Sequence, residues 1–330
     1  MEWKNKNVLV TGAGGFIGSH LTQRLMELEA NVTALIHYDA RSDRSNLEFL
    51  PHDLLQKLNI VSGDICDPFF VQGLVEGKDV VFHLAALIPI PYSYIAPASY
   101  VATNIQGTLN ICEASRRAKV SRVVHTSTSE VYGTALSPAI NEDHPLQAQS
   151  PYAASKIGAD KIAESYYRAM DLPVATIRPF NTFGPRQSAR AVIPTILSQL
   201  LSGLPELRLG SVEPLRDFLF VQDTVEGFLA VAQSDACIGR VTNVGTGTAV
   251  SIGQTAEIAM NVVGRHVTIV TEQKRSRPVN SEVMALICDA SAARERCGWT
   301  PQVSLEEGLG RVATFISENM TKFRPTEYTI

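Results

Sequence analysis

The stretch NVLVTGAGGFIG, residues 7–18, decides the fold of this chain. Its apolar run at 8–10 is typical of a buried parallel strand, and Gly12, Gly15 and Gly18 follow at three-residue spacing before a helical pattern begins. Glycine suits such a turn because it adopts positive φ and has no β-carbon to stand between main chain and pyrophosphate. The first amides of the helix then face phosphate with the positive end of the helix dipole. This order of strand, glycine turn and helix predicts a dinucleotide-binding site, with an incidental turn as the alternative.

The composition is that of an ordinary globular enzyme. The chain has 330 residues, of which 45% are hydrophobic and 19% charged, enough for one large domain with a subdomain or for two domains. The formal charge of -4 gives no reason to expect nucleic acid or an anionic membrane as a partner. The first residues, MEWKNKNVLV, carry no secretory signal, and no run approaches the ~18 apolar residues of a membrane span. We therefore expect a cytoplasmic protein.

The cysteines and histidines do not indicate a metal site. The five cysteines are an odd number and include no C-x-x-C pair, which favours free thiols over disulfides or zinc. His20, His83 and His125 lack the spacing of metal ligands. His83 and His125 fall in apolar strands, where a hydrogen-bonded core imidazole is the better interpretation. No metal is expected.

From the glycine turn to about residue 178, strand-like apolar runs alternate with helical patterns. The strand-like runs lie at 32–36, 57–61, 79–85, 122–128 and 174–178. The helical patterns lie at 16–29, 68–75, 98–119 and 151–170. Repeated βα units with continuous apolar strands indicate a parallel sheet covered on both faces. The expected fold class is therefore α/β, a Rossmann-type doubly wound parallel sheet.

The character of the sequence changes after Pro179, where prolines and glycines become frequent and the elements become short. We expect residues 1–180 to form a NAD(P)-binding Rossmann domain and residues 181–330 a smaller C-terminal α/β subdomain that binds substrate. Some later segments should return to the sheet, since 239–245 resembles another strand. The tail from about residue 320 is expected to be a frayed end.

Tyr152 and Lys156, in the stretch YAASK, stand four residues apart and so lie on one helix face. Free tyrosine has a pKa of about 10 and is a poor base at neutral pH. A nearby lysine ammonium, with a positive nicotinamide ring, favours the phenolate and is expected to lower the pKa of Tyr152. The same lysine can hold the nicotinamide ribose hydroxyls. Alone, the pattern is more often an amphipathic helix with a surface lysine; downstream of a dinucleotide turn it predicts a catalytic pair.

A second group of polar residues lies at the end of the strand-like run that begins near residue 122, namely Ser127-Thr128-Ser129-Glu130. Ligands of open α/β sheets sit at the carboxyl ends of strands, so these side chains should face the substrate above the nicotinamide. Thr128 can hydrogen-bond a substrate hydroxyl while Tyr152 takes its proton, and Glu130, if partly desolvated, can act as a general base. Strand-end hydrogen bonding and a solvated loop carboxylate are the alternatives.

The choice between NAD and NADP depends on the end of the second strand. NAD-specific folds usually place an acidic residue on the adenosine ribose about 20 residues beyond the turn. Here Ile36 or His37 fills that place. Asp39 could reach the ribose, but Arg41, with Ser42 and Arg44, could equally bind a 2′-phosphate. The pattern slightly favours NADP over NAD.

These motifs together resemble the extended short-chain dehydrogenase/reductases that act on nucleotide sugars, over nearly the whole chain. The resemblance rests on the three glycines, Tyr152-x-x-x-Lys156, the upstream Ser/Thr cluster, HLAA at 83–86, RPFN at 178–181, GPR at 184–186 and RDF at 216–218. It implies a tightly held nicotinamide cofactor that oxidises the C4 hydroxyl of a sugar and is regenerated in each cycle. It also implies a homodimer, formed through the helices at 98–119 and 151–170.

The resemblance further assigns binding residues. Positions that match the family's cofactor contacts are Gly12, Gly15, Phe16, Ile17, Gly18, Asp64, Ile65, Leu84, Ala85, Ala86, Asn104, Ser127 and Pro179, with Asp64-Ile65 in the loop that holds the adenine. Positions that match its substrate contacts are Asn181, Arg186, Ile193, Arg216 and Arg277, of which Asn181, Arg216 and Arg277-Pro278 hold the nucleotide diphosphate. Arginine suits this task because its planar fork binds phosphate bidentately.

Three chemistries of this family begin with C4 oxidation. A 4-epimerase returns the hydride to the other sugar face and needs no base at C5. A 4,6-dehydratase removes the C5 proton, expels the C6 hydroxyl as water and delivers hydride to C6, which requires a carboxylate such as Glu130. A UDP-glucuronate decarboxylase also resembles this chain at 128–130, whereas SPYAASK at 150–156 is closer to the dehydratases. Outside the enzymes, a cofactor-binding sensor is the rival, against which the intact catalytic residues argue.

The substrate class is indicated by NTFGPRQSARAVI at 181–193, which is most similar to bacterial 4,6-dehydratases of nucleotide-linked N-acetylglucosamine in legionaminic-acid-type pathways. Dehydratases of dTDP-glucose usually carry Thr-Asp-Glu where this chain has Thr128-Ser129-Glu130, which argues against that substrate. Serine is too weak an acid to protonate the leaving oxygen unaided, so a water or Tyr152 would relay the proton. The expected reaction converts UDP- or GDP-N-acetylglucosamine to the 4-keto-6-deoxy sugar.

Overall fold

The structure, a computed structural model, describes residues 1–275 and 282–327. The strands in these residues are β1 (Asn7–Thr11), β2 (Asn31–His37), β3 (Asn59–Gly63), β4 (Val80–His83), β5 (Arg122–Thr126), β6 (Val174–Pro179), β7 (Asn181–Phe183), β8 (Glu206–Leu209), β9 (Leu215–Arg216), β10 (Phe218–Phe220), β11 (Val241–Val244), β12 (Val250–Ser251), β13 (Thr268–Thr271) and β14 (Ala285–Leu286). The α-helices are α1 (Phe16–Glu27), α2 (His52–Lys57), α3 (Pro68–Val75), α4 (Ile90–Ile95), α5 (Pro97–Tyr100), α6 (Gly107–Arg117), α7 (Pro151–Met170), α8 (Val192–Leu201), α9 (Val221–Gln233), α10 (Ile252–Val263), α11 (Ser291–Cys297) and α12 (Leu305–Glu318).

Seven parallel strands form the central sheet, in the order β11-β6-β5-β4-β1-β2-β3. The predicted α/β class, a Rossmann-type doubly wound sheet, is thereby confirmed. The strand order reverses between β1 and β4, and their carboxyl ends border the crevice where such sheets bind ligands. The glycine turn follows β1 directly, so it lies at this crevice.

Side-chain alternation along β1 explains how both faces of the sheet are covered. Val8 and Val10 lie in a hydrophobic cluster with residues of α1 and α9, Phe228 among them. Leu9 points to the opposite face and lies in a cluster with residues of α3, α6 and α7, among them Ile111. A strand buried on both faces needs an uninterrupted apolar run, which is what residues 8–10 supply.

The helical pattern at 98–119 forms three consecutive pieces. These are α5, a π-helical segment at Val101–Gln106, and α6. Within the π segment, the Asn104 amide pairs with the backbone N–H of Leu87 at 2.8 Å and with its carbonyl at 3.0 Å. By contrast, the pattern at 151–170 forms one helix, α7, whose first residue is Pro151 and whose N-cap Ser150 accepts from the amide of Ala153.

The chain beyond residue 180 contributes to two cores. The short sheets β7–β10, β12–β9–β14 and β8–β13 accompany α8, α10 and α12, whose apolar faces share a second hydrophobic cluster. However, α9 packs against the central sheet, and β11, within the segment 239–245, pairs with β6. The far half of the chain thus also completes the sheet that the first half begins. None of the helices in the two described ranges is both long and apolar enough to cross a membrane.

Candidate active site

A cavity of about 850 Å³ opens at the carboxyl ends of the central strands. Residues that the sequence assigned to the site and that line this cavity are Gly12, Gly15, Phe16, Ile17, Gly18, His37, Leu84, Ala85, Ala86, Ser127, Thr128, Tyr152, Lys156 and Pro179. Lining residues that were not assigned include Tyr38, Asp39, Asp43, Ser45, Ile88, Thr126, Phe180, Thr182 and Gln187. The glycine turn and the Tyr152–Lys156 pair therefore face one space.

The glycine turn lines the cavity, and two of its glycines leave no room for a β-carbon. Gly12 has φ +69°, and a β-carbon there would lie 2.8 Å from the backbone nitrogen of Ala85. A β-carbon on Gly18 would collide with the carbonyl oxygen of Gly12, so α1 can pack against the turn only with glycine at this position. Glycine at these two positions therefore allows the tight turn and the close helix packing that a dinucleotide-binding turn requires.

The amino end of α1 has free backbone donors that can bind an anion. Gly15 is its N-cap and provides no side-chain hydrogen bond, and the first turn contains no acidic residue. The first amides of the helix therefore keep their donor capacity and the positive end of the dipole. Next to it, Thr11 Oγ1 accepts from the amides of Leu84 and Ala85, each at 3.1 Å, which fixes the segment after β4 against β1. The residues present fit a bound NAD(P).

We expect Gly12→Ala to weaken NAD binding at least tenfold and to lower the free energy of unfolding by about 2 kcal/mol, because the new methyl group meets Ala85 and positive φ is strained. Isothermal titration with NAD and thermal melts measure both effects. Gly77→Ala is the matched control, since Gly77 has φ +72° and a β-carbon there would meet no side chain or backbone atom of the described residues within 4 Å. The Gly77→Ala variant should lose about 1 kcal/mol of its free energy of unfolding and keep the wild-type affinity for NAD. Equal affinities of the Gly12 variant and wild type would contradict the assignment.

Tyr152 and Lys156 lie in the first two turns of α7, and both are buried. Burial raises the pKa of Tyr152, which a hydrogen bond with Thr128 opposes. Burial also lowers the pKa of Lys156 to about 8, against the charge of Asp160. Lys156 Nζ donates to the Thr126 carbonyl at 2.7 Å. Without a bound cofactor the pKa of Tyr152 is therefore raised, by burial first and then by the charges of Glu130 and Asp160. The expectation that Lys156 together with a positive nicotinamide ring lowers this pKa stays a prediction for the cofactor-bound protein.

The strand-end constellation forms a tight turn. Thr128 is the N-cap of a 3₁₀ helix at Ser129–Tyr132, and its hydroxyl accepts from the amide of Glu130 at 3.3 Å. The charge of Glu130 raises the pKa of Tyr152, so carboxylate and phenol are electrostatic neighbours. Thr128 lines the cavity, whereas Ser129 is buried beside it. Glu130 itself is half-buried and is not among the residues that line the cavity, so the Thr128 hydroxyl and the Tyr152 phenol meet there while the Glu130 carboxylate lies in the adjoining turn.

The cavity also reaches the end of β2. His37 and Asp39 line it there. Arg41 is largely exposed, and its guanidinium pairs with the Asp39 carboxylate at 3.0 Å. The charge of Arg41, which favoured NADP, is therefore partly neutralised by the Asp39 carboxylate, which favoured NAD.

Besides Arg41, three residues assigned to the cofactor lie away from the lining of this cavity. Asp64 is exposed and accepts from the amide of Cys66. Ile65 is buried, with its side chain against Gly107. Asn104 is buried and also donates to Ser155 Oγ at 2.9 Å, so its side chain joins the segment after β4 to α7. Its polar atoms are engaged within the protein, and the structure gives it a supporting position.

Among the residues assigned to substrate, Arg186 lies away from the cavity lining, and its assignment stays a prediction. Its guanidinium donates to Gln23 Oε1 at 2.7 Å and to the Phe49 carbonyl at 3.3 Å, so it braces α1 and does not face the cavity. Burial lowers the pKa of Arg186 to about 10. Ile193 is buried in the second hydrophobic cluster and is not among the residues that line the cavity, so its assignment to substrate stays a prediction.

The remaining substrate assignments have mixed outcomes. Arg216 is buried and forms an ion pair with Glu282 at 3.0 Å. Arg277 lies outside the described residues. Across the residues that the structure describes, the buried oxygens Asn181 Oδ1 and Gln187 Oε1 have no hydrogen-bond partner. Gln187 lines the cavity, so its oxygen is a candidate acceptor for a ligand.

Sequence reasoning missed Asp160, which contacts three residues around the site. The signal was available, since Asp160 follows Lys156 by four residues on the same helix. His83 and His125 are buried and hydrogen-bonded as expected, and the partner of His125 is Asp160. In the described ranges, no three side chains among His, Cys, Asp and Glu gather as a metal site would need.

Comparison with known proteins gives a consistent result. The family described as GDP-mannose 4,6 dehydratase matches residues 9–312. A dTDP-glucose 4,6-dehydratase of Actinoplanes sp. is 32% identical over 94% of this chain and 98% of its own. A UDP-glucose 4-epimerase of Mycolicibacterium smegmatis is 37% identical over 93% of this chain and 97% of its own. The crystal structure of DesIV, a dTDP-glucose 4,6-dehydratase of Streptomyces venezuelae with NAD bound, is similar with a TM-score of 0.86 and 31% identity, covering 97% of this chain and 100% of that one.

Proposed function

Since this chain belongs to the GDP-mannose 4,6-dehydratase family of the extended short-chain dehydrogenase/reductases, we propose that it is a nucleotide-sugar 4,6-dehydratase. One observation favours a 4,6-dehydratase over a 4-epimerase. Glu130 lies in the turn that follows β5, where the Thr128 hydroxyl accepts from the Glu130 amide at 3.3 Å and is also hydrogen-bonded to Tyr152. Elimination of water across C5 and C6 needs a carboxylate beside the residue that serves C4, and Glu130 supplies it.

In the proposed reaction, Tyr152 transfers the proton of the C4 hydroxyl and Glu130 transfers the C5 proton. A bound nicotinamide would supply the hydride acceptor for C4 and the hydride donor for C6. Tyr152, hydrogen-bonded to Thr128, takes the proton of the C4 hydroxyl. Glu130 takes the C5 proton, the C6–O bond breaks, and Tyr152 returns its proton to the departing oxygen as water. Glu130 then gives a proton back to C5, so both residues end in their starting states.

We propose UDP- or GDP-linked N-acetylglucosamine as the substrate and the 4-keto-6-deoxy sugar as the product. Support comes from the similarity of residues 181–193 to dehydratases of that class. The Oε1 atom of Gln187, in the same stretch, is a buried acceptor that lacks a partner among the described residues and lines the cavity. An N-acetyl N–H or a sugar hydroxyl would satisfy it.

Arg216 is the proposed ligand of the nucleotide diphosphate. Its guanidinium is buried, which strengthens charge-assisted hydrogen bonds. The pairing with Glu282 would have to be exchanged for phosphate when the substrate binds. Asn181, whose Oδ1 also lacks a partner in the described part of the chain, is proposed to contact the same end of the substrate.

NAD is the cofactor that the geometry favours, against the slight preference for NADP that the sequence alone suggested. The Asp39 carboxylate lines the cavity at the end of β2, where it can accept from a ribose 2′-hydroxyl and would repel a 2′-phosphate. Arg41 is already paired with it. DesIV, which is similar to this chain throughout, was crystallised with NAD.

For Asp39→Asn we expect NAD affinity to fall about tenfold, the size of one hydrogen bond to a charged group, and the NAD/NADP preference to narrow because Arg41 is released. Fluorescence titration with each dinucleotide measures the change. The control is Asp53→Asn, an exposed carboxylate in the first turn of α2. Tighter binding of NADP than of NAD by the wild type would overturn this proposal.

A 4-epimerase is the second candidate. It is favoured by the relative from M. smegmatis, whose 37% identity exceeds the 32% of the Actinoplanes dehydratase. Incubation of the NAD-loaded protein with UDP-N-acetylglucosamine, its GDP analogue, dTDP-glucose and UDP-glucose, followed by mass spectrometry, separates the two. A product lighter by one water supports the dehydratase, and an isomer of equal mass supports the epimerase. Loss of carbon dioxide from UDP-glucuronate would indicate a decarboxylase.

We also propose that the protein is a homodimer that packs through α6 and α7, as its family resemblance implies. Val101 and Ile95, which precede α6, are large exposed apolar side chains and would add to such an interface. Sedimentation equilibrium measures the oligomeric state.

A further inference from the structure

A buried ion pair lies directly beneath the catalytic turn. Arg178 Nη2 donates to Asp160 Oδ2 at 2.8 Å, and the two side chains are 3% and 6% exposed. Burial alone would raise the pKa of Asp160, but the hydrogen bond from His125 and the charge of Arg178 hold it well below its usual range. Such a pair is costly to bury unless its remaining donors and acceptors are satisfied. The partners that satisfy it are therefore informative.

The first set of partners is the end of β5. Ser127 Oγ donates to Asp160 Oδ2 at 2.6 Å and accepts from Arg178 Nε at 3.0 Å. His125, two residues earlier on the same side of the strand, donates from Nε2 to Asp160 Oδ1 at 2.9 Å. The residue just before Thr128 is thus held by both members of the ion pair.

The second partner is the far end of the same turn. Tyr132 OH accepts from Arg178 Nη1 at 2.7 Å and donates to Asn243 Oδ1 of β11 at 2.8 Å. The guanidinium also lies 4.7 Å from the centre of the Tyr132 ring. Arg178 therefore forms hydrogen bonds with the chain on both sides of the segment 128–130. A rigid planar fork can bond in three fixed directions at once, which an apolar side chain cannot.

We propose that the Asp160–Arg178 pair is a positioning device that sets the Thr128–Glu130 turn, and with it the Glu130 carboxylate, over the sugar. Asp160 and Arg178 act through Ser127 and Tyr132 and are positioning residues. The effect on catalysis rests on the proposed function. The structural part, in which hydrogen bonds hold the turn at both ends, does not depend on any substrate.

The test uses Tyr132→Phe in the NAD-loaded 330-residue chain. This variant keeps the ring and its stacking but removes the hydroxyl that holds one end of the turn. Asp160→Asn is less suitable as the first variant, because it would leave the Arg178 charge buried and unpaired and could prevent folding. The matched control is Tyr166→Phe, a buried tyrosine of α7 whose hydroxyl donates to Glu113 Oε2, away from the turn.

Two measurements are needed. Amide hydrogen exchange by mass spectrometry should show residues 127–133 exchanging on the order of fivefold faster in Tyr132→Phe, with α7 unchanged and no change in Tyr166→Phe. With the sugar that the wild type converts, kcat should fall about 10- to 100-fold in Tyr132→Phe while KM stays within about threefold, because misplaced catalytic groups reduce turnover more than binding.

Each outcome decides a separate claim. Unchanged exchange at 127–133 would overturn the tether, and faster exchange with unchanged kcat would overturn its role in positioning Glu130. If the wild type converts none of the nucleotide sugars, the proposed function fails, whereas the exchange experiment still decides whether the ion pair holds the turn.

Discussion

Glu130→Gln is expected to reduce bound NAD when its nucleotide sugar is added, but to release product about 10³-fold more slowly than the wild type. Tyr152 and Thr128 remain in place, so oxidation at C4 can proceed. Glutamine has nearly the same shape as glutamate and cannot accept the C5 proton, so the elimination of water stalls. Reduced cofactor should therefore accumulate in the variant and not in the wild type.

Nicotinamide absorbance in a stopped-flow experiment, with the product followed by mass spectrometry, measures the two phases. Glu164→Gln on α7 is the control, since Glu164 forms ion pairs with Lys161 and Arg168 at the surface and should turn over normally. Wild-type turnover by Glu130→Gln would remove Glu130 from the mechanism and leave the epimerase as the better interpretation.

Tyr152→Phe is expected to lower kcat by about 10³- to 10⁴-fold and to form no reduced cofactor, because the first proton transfer is lost. The ring is buried against Tyr100, with 6.3 Å between centroids, and that contact survives the change. Folding and NAD affinity should therefore stay close to wild type. The defect differs in kind from that of Glu130→Gln, since it precedes hydride transfer.

Single-turnover absorbance and NAD titration distinguish the two defects, and Tyr166→Phe again serves as the control. A Tyr152→Phe variant that still reduces NAD at the wild-type rate would show that another group takes the C4 proton. Lys156 is the nearest such candidate on α7, with its pKa lowered by burial to about 8.

The central sheet could be predicted from the sequence because its signals are local. Each buried parallel strand needs a continuous apolar run, and most of these runs are followed by a helical pattern. The π-helical segment at Val101–Gln106 could not be predicted, because its geometry is tied to Leu87, a residue outside the helical pattern.

The same distinction applies to the site. Gly12, Tyr152 and Lys156 were identifiable because spacing along one turn or one helix face places them, and all three line the cavity. Arg186 was assigned to substrate from its local motif, whereas in the structure it contacts Gln23 and Phe49, which are more than a hundred residues away in the chain. Nothing in the local sequence reports these two contacts, both of which are made by Arg186 Nη2.

The pKa of Tyr152 shows a further limit. The i,i+4 spacing correctly brings lysine and tyrosine to one face, but the pKa depends on how deeply both are buried, and burial is a property of the whole fold. Asp160 continues the same spacing one turn beyond Lys156 and was identifiable from it.

The most direct test of the central claim is the reaction in deuterium oxide, with the product analysed by mass spectrometry and NMR. A dehydratase in which Glu130 exchanges the C5 proton with solvent should give a sugar lighter by one water and carrying one deuterium, at C5. Its C6 methyl group should carry the hydrogen that began on C4. A product of unchanged mass with no deuterium, epimeric at C4, would contradict the assignment of Glu130 and of the reaction itself.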